Sequence, residues 1–328
     1  MTDSSSMSEF GAPLAGRTAT PLVDAAQAPK VVVEDSGPSE GGSRWEKWRQ
    51  DALVFASNRF ALVSLVFLVL LVLFCFVGPF FYHTNQTATT LLNANLPPSS
   101  QFPLGTDLNG IDMLGRLMLG GQSTLEVGFA VAVFATSFGA LWGSLAGYVG
   151  GVVDSLLMRV VDTALSIPYL FLAVLLATLF QPSLWLIVLT ITAVSWPSTA
   201  RIIRGETLSL RTRDYVTASR GFGAWQLRLI GRHILPNSVG SIVVNATLRV
   251  ATAIFVFALL AYLGLGVPPP ATSWPQMLDE GLNHLYNNYW WELWLPGAAI
   301  VLTVIAVSAI GDGLYDVVVK RQGSLVKE

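Results

Sequence analysis

Six stretches of this sequence are long, apolar and poor in charge: residues 60–81, 121–148, 156–180, 184–203, 239–266 and 293–315. A helix needs roughly 20 mostly apolar residues to cross the hydrocarbon core of a bilayer, so each stretch is long enough to span. The first contains no charged side chain, and the second carries Glu126 near its start. Only Gln181, Pro182 and Ser183 separate the third from the fourth, which predicts a tight helical hairpin there. The pattern therefore predicts an all-α integral membrane protein with six transmembrane helices.

Lys and Arg accumulate on the cytoplasmic side of membrane proteins. Arg44, Lys47, Arg49 and Arg59 precede the first span, and Lys320, Arg321 and Lys327 follow the last. Arg201, Arg204, Arg211, Arg213, Arg220, Arg228 and Arg232 crowd the end of the fourth span and its connection to the fifth. The opposite side, residues 82–120, 181–183 and 267–292, holds only Arg116. Six spans with both termini cytoplasmic satisfy all of these loops. Arg249 departs from the pattern, because it falls inside the fifth span. An intramembrane arginine faces a protein interior or a water-filled cavity. It is either a structural arginine bonded to neighbouring carbonyls or a residue lining a pathway, and the sequence leaves both readings open.

Residues 1–43 differ in kind. They are rich in Ser, Gly, Pro, Ala and Asp and contain Phe10 as their one aromatic. Such a segment buries too little apolar surface to offset its ordering entropy, which predicts a disordered cytoplasmic tail. It has no basic start leading into an apolar run, so it does not read as a signal peptide. Residues 44–328 are then one transmembrane domain.

Composition agrees with lipid as the solvent. The 328 residues are 52% hydrophobic and 12% charged, against roughly 25% charged in soluble domains. A net charge of -2 gives no electrostatic footprint for nucleic acid. Cys75 is the single cysteine, which excludes an internal disulfide framework. The three histidines are far apart and no His-Glu-x-x-His occurs, so a metal site has no support.

The cytoplasmic connection 204–238 is far more polar than its surroundings. Two short helical stretches are predicted, divided near Gly221 and Gly223, where glycine weakens a helix and permits a left-handed turn. Phe222, Trp225 and Leu229 recur at helical spacing beside Arg220, Arg228 and Arg232. Aromatic residues next to arginines suit docking to a partner protein. Basic and aromatic residues also suit an amphipathic segment lying on anionic lipid. Composition alone favours neither.

The glycine and proline spacing adds a further observation. Thr217, Ala218 and Ser219 are followed by Gly223 and then by Leu235-Pro236, thirteen residues beyond that glycine. This resembles the Glu-Ala-Ala loop of binding-protein-dependent ABC importer permeases, with Thr217 where that family carries glutamate and Ser219 for its second alanine. Further motifs are similar to one branch, the dipeptide and oligopeptide permeases of the second-subunit type. They include Pro103-Leu-Gly-Thr-Asp107, Gly110-Ile-Asp112, Leu114-Gly-Arg116 and Ala146-Gly-Tyr-Val-Gly-Gly151 with Asp154 and Asp162. Arg232-His-Ile-Leu-Pro-Asn237, Leu263-Gly-Leu-Gly-Val-Pro-Pro269, Ser273-Trp274 and Gly311-Asp-Gly313 extend the resemblance over roughly residues 55–316. Phe257 departs from it, standing where this branch often has a glutamate.

The resemblance implies the ABC importer (type I) permease fold in the cell membrane of a prokaryote. It implies a homologous second permease subunit, one or two ABC ATPase subunits holding ATP and Mg, and an extracytoplasmic substrate-binding protein. Asp214, Tyr215, Thr217, Ala218, Ser219, Arg220, Gly221, Gly223, Trp225, Arg232, Leu235 and Pro236 then form the ATPase-coupling loop. Peptides are the default cargo of this branch, and similar permeases carry nickel chelates or haem. The chain itself has no Gly-x-x-x-x-Gly-Lys-[Ser/Thr] phosphate loop, and Gly120-Gly-Gln-Ser-Thr124 lacks the lysine. No Gly-x-Ser-x-Gly elbow occurs either. The expectation is a non-catalytic subunit with no cofactor of its own. An ion-coupled carrier is the other class, but it should show inverted repeats and ionisable groups near the midplane, and only Arg249 lies deep. On the outer side Asp107, Asp112, Asp279 and Glu280 are candidates for docking the binding protein, with solvation as their other reading. Trp274, Trp290 and Trp291 are predicted to anchor at the headgroup level.

Overall fold

The computed structural model describes residues 44–84, 87–222 and 225–325. The tail predicted over 1–43 lies outside them. The described residues form helices joined by loops, with one isolated antiparallel bridge between Thr106 and Asp112.

Helix α1 (Arg44–Ser57) leads into α2 (Arg59–Phe76), the first apolar run. Asn58 caps α2 by accepting from the Ala61 N–H at 3.2 Å, and its amide donates to Asp316 at 3.2 Å. After the short α3 (Gly78–Phe81) and a compact loop comes α4 (Met113–Val149), which starts well before the predicted 121. Asp112 supplies the reason, because its carboxylate accepts from the Leu114 N–H at 3.0 Å and caps the longer helix. Gly150 and Gly151, at φ 71° and 58°, turn the chain out of α4.

The third predicted span, 156–180, is not one straight helix. It is α5 (Gly151–Ser166) and α6 (Tyr169–Thr178), bent 85° against each other. Pro168 has no N–H to donate, and its ring drives Ile167 out of the helical region to φ -87°, ψ 129°. Next, α7 (Leu184–Leu210) continues past the predicted end at 203. The connection expected to begin at 204 therefore begins after Leu210. Short helices α8 (Asp214–Gly221), α9 (Gln226–Leu229) and α10 (Leu235–Asn237) fill it, with a π turn over Ile230–Ile234. Then follow α11 (Val239–Tyr262), α12 (Trp274–Asn283) and α13 (Trp290–Leu325). Five helices, α2, α4, α7, α11 and α13, are long and apolar enough to cross a membrane, and six crossings result if the bent α5–α6 pair counts as one.

Because lipid is as apolar as the side chains, helices in a bilayer associate through close packing rather than hydrophobic burial. Helix α4 achieves this with small residues one turn apart, Gly139, Gly143 and Gly147. A Cβ on Gly139 would stand 2.7 Å from Thr199, and one on Gly147 2.9 Å from the Arg204 carbonyl oxygen. The α4 and α7 backbones thus touch over three turns. One buried cluster joins α4, α6, α7 and α11 around Val131, Ile191 and Phe257. A second joins α2, α4, α12 and α13 around Cys75, Trp274 and Trp291.

Two of the three tryptophans expected at the headgroup level are core residues instead. Trp274 is fully buried, and its indole N–H donates to the Leu117 carbonyl at 2.7 Å. Trp291 is buried and donates to the Thr106 carbonyl at 3.0 Å. Only Trp290 is turned outward.

Candidate functional site

Polar chemistry gathers at the two ends of the bundle. At one end α8–α10 carry the residues singled out from the sequence. Val216, Leu229, Ile230 and Ile234 are buried, and the π turn packs against α4. These residues seat the helix pair on the bundle. Leu229, read from sequence as part of an exposed apolar face with Phe222 and Trp225, thus faces inward. Phe222 and Trp225 face outward, 91% and 74% exposed. Asp214, Tyr215, Thr217, Ala218, Arg220, Gly221, Arg232 and Pro236 are exposed as well, and Ser219 and Leu235 are half-buried. Gly223 lies outside the described residues.

The local hydrogen bonds explain the shape. Thr217 and Ser219 donate their hydroxyls back to the Arg213 and Tyr215 carbonyls, at 3.2 and 2.8 Å. Thr217 is thereby engaged within its own helix. Pro236 offers no N–H to the ladder, and the turn before it widens so that the Leu235 N–H bonds the Ile230 carbonyl, five residues back.

Beside this pair, α5 is fastened to α7. Arg204 donates to both oxygens of Asp154 at 2.6 and 2.7 Å, and Arg201 to Asp162 at 2.7 Å. Arg211 reaches the Gly147 carbonyl of α4 at 2.9 Å. These partners let the basic end of α7 stay helical where the sequence suggested a loop.

At the opposite end, the 87–112 loop and α12 form a layer over the helices. Asp107 accepts from the Asn109 and Ile111 N–H groups at 2.9 and 2.8 Å, and from Arg116 at 2.5 Å. Arg116 also meets Glu280 at 2.6 Å. Asp107 and Asp112 are therefore buried parts of the loop's framework, not surface carboxylates. The Tyr82 phenol, pushed up to about 12 by burial and by its hydrogen bond to Asp112, lies in the same framework. Asp279 and Glu280 remain partly accessible.

Residues 139–324 match the family described as "Binding-protein-dependent transport system inner membrane component". The chain belongs to this family. Residues 46–98 match the N-terminal transmembrane domain of oligopeptide transport permease C. The permease is 40% identical over 269 residues to the oligopeptide transport system permease protein OppC of Bacillus subtilis, covering 82% of this chain and 88% of that one. It is 37% identical over 271 residues to the dipeptide transport system permease protein DppC of the same organism, covering 83% of each. In fold it is similar to a chain of the inward-facing MetNI methionine ABC transporter, with TM-score 0.50 and 22% identity over 60% of this chain and 93% of that one.

Arg249 of the permease is half-buried in α11. Its Nε is buried without a hydrogen-bond partner, and among the described residues no ion pair includes it. Among the described residues no carbonyl accepts a hydrogen bond from this Nε, so the structural and pathway readings of Arg249 both stand. Sequence reasoning missed two partners altogether, the pairing of Arg116 with Glu280 and that of His284 with Glu292, whose Nδ1 and Oε2 are 3.1 Å apart. The available signal was Arg116 itself, the lone basic side chain of its side, which needed carboxylates nearby.

Proposed function

We propose that the permease is one of two membrane-spanning subunits of an ATP-driven importer for peptides. The observation that carries this reading is the similarity to OppC and DppC over more than four-fifths of each chain. Those relatives are named for oligopeptide and dipeptide transport. A nickel chelate, haem or an ion-coupled carrier mechanism draws no support from them.

In this reading the basic end of the bundle, with both termini, is cytoplasmic, and α8–α10 are the grip for an ATPase subunit. The buried Val216, Leu229 and Ile234 make that pair a lever fixed to the bundle, and Phe222 and Trp225 supply large exposed anchors of the kind that dominate interfaces. ATP and Mg belong to the partner subunits. Closure of two ATPase subunits moves the lever, and the bundle shifts as a rigid body between two packings. Asp279 and Glu280 lie on the side that receives the substrate-binding protein, and Arg249 lines the pathway. The N-terminal 1–43 is a cytoplasmic tail.

Extraction of tagged permease in mild detergent tests this. Recovery of one related permease and one or two P-loop subunits with ATPase activity is expected. A monodisperse permease recovered alone and without that activity would overturn the reading.

A further inference from the structure

A cavity of about 70 Å³ opens in the layer formed by the 87–112 loop and α12. Asp107, Arg116, Glu280, His284 and Glu292 line it, with Leu108 at 47% exposure and the buried Met113 and Met277 as its apolar wall. Both terminal nitrogens of Arg116 are already engaged, Nη1 by Asp107 and Nη2 by Glu280. Glu292 is 4% exposed, and His284 meets only its Oε2. Its Oε1 is buried with no hydrogen-bond partner. With all three carboxylates ionised, they and the one guanidinium leave an excess of two negative charges when His284 is neutral, and of one when it is protonated.

We propose that this cavity receives the ammonium group of a lysine side chain from the extracytoplasmic binding protein, with Glu292 Oε1 as its acceptor. The proposal rests on the importer reading above. An ammonium has three donors and no acceptor, so it supplies what Glu292 lacks. A water molecule would satisfy the hydrogen bond but leave the negative excess of the cavity without a counter-charge, whereas an ammonium supplies both. The aliphatic stem of a lysine packs on apolar surface while its head reaches a polar group, and Leu108, Met113 and Met277 provide that surface. Arg116 belongs to the fold here, holding two carboxylates in place around an acceptor that it does not touch.

The test uses the complete transporter in nanodiscs and its binding protein, either native or with its lysines acetylated. Glu292→Gln keeps the shape and removes the charge. Native binding protein should bind this variant about tenfold more weakly, with a flatter salt dependence, while basal ATPase activity stays unchanged. Acetylation should weaken binding to wild type by a similar factor and add little on Glu292→Gln. Unchanged affinity in an assembled Glu292→Gln transporter overturns the proposal, as does acetylated protein binding wild type at full strength. Should the variant fail to assemble, the acetylation arm alone decides. Competition by free peptide for the cavity would assign the ammonium to substrate and overturn the proposal too. If wild-type transporter binds no extracytoplasmic protein at all, the importer reading fails and this one with it.

Discussion

Arg204 on α7 grips Asp154 on α5 through two hydrogen bonds, one to each carboxylate oxygen, at 2.6 and 2.7 Å. The pair joins the helix that ends in the α8–α10 connection to the helix that bends at Pro168. The pair thereby ties these two elements together. A fork of this kind uses guanidinium geometry that lysine cannot reproduce.

A double-mutant cycle on Asp154→Asn and Arg204→Gln should return a coupling of about 0.5–3 kcal/mol, the range for residues in direct contact. The pair is partly exposed, with side chains at 16% and 30%, which places the expectation toward the lower end. Arg204→Lys should recover only part of it. Denaturation of detergent-purified protein measures all four corners of the cycle.

Gly143→Val should abolish correct packing of α4 on α7. A Cβ there would lie inside van der Waals contact of the Ala200 carbonyl oxygen, which is backbone and cannot swing away. Overpacking costs about 1–3 kcal/mol or more, and here the two helices must separate. Gly205→Ala should be tolerated, because a Cβ at that position meets nothing within 4 Å. Size-exclusion profiles of the two variants in detergent make the comparison.

Arg116→Met should destabilise the protein by about 3–5 kcal/mol, because it strands the buried Asp107 carboxylate without its cation. Adding Asp107→Asn should restore part of that loss, since a neutral amide demands less compensation. Equal melting temperatures for the single and double variants would contradict the pairing's importance.

Phe222→Ala combined with Trp225→Ala should leave the bundle folded, because both side chains are largely exposed. If α8–α10 grip an ATPase subunit as proposed, loss of two anchors worth about 2 kcal/mol together corresponds to roughly thirtyfold weaker docking. Peptide uptake should fall accordingly while extraction yield holds. Val216→Asp, at a buried position of the same helix, should instead lower the yield.

Replacing Gly223 with leucine should stop uptake while ATP hydrolysis and assembly continue, if the turn between α8 and α9 sets the angle of the lever. Uptake at the wild-type rate in proteoliposomes would refute that role.

The apolar runs by themselves pointed to the helices that are long and apolar enough to cross a membrane, because the length needed to span a bilayer is a local property of the chain. The division of the connection between α7 and α11 near Gly221 was also local, since α8 ends there. Pro168 was visible too, yet proline alone does not decide a break. Pro197 and Pro296 lie within the continuous helices α7 and α13, where the freed carbonyls are accommodated by their surroundings. Only the packing distinguishes the three prolines. The same holds for the charged and aromatic residues. Asp107 and Asp112 look like surface acids in a polar loop, and Trp274 and Trp291 look like interfacial anchors, until the loop and α12 fold over α4 and bury them. Which carboxylate Arg116 meets, and which oxygen of Glu292 stays unpaired, depend on contacts between segments far apart in the chain. The sequence alone marked the long apolar helices but not their ends or the break at Pro168, because hydrophobicity is summed over neighbours along the chain. The tertiary structure decided the site, because burial and pairing are properties of neighbours in space.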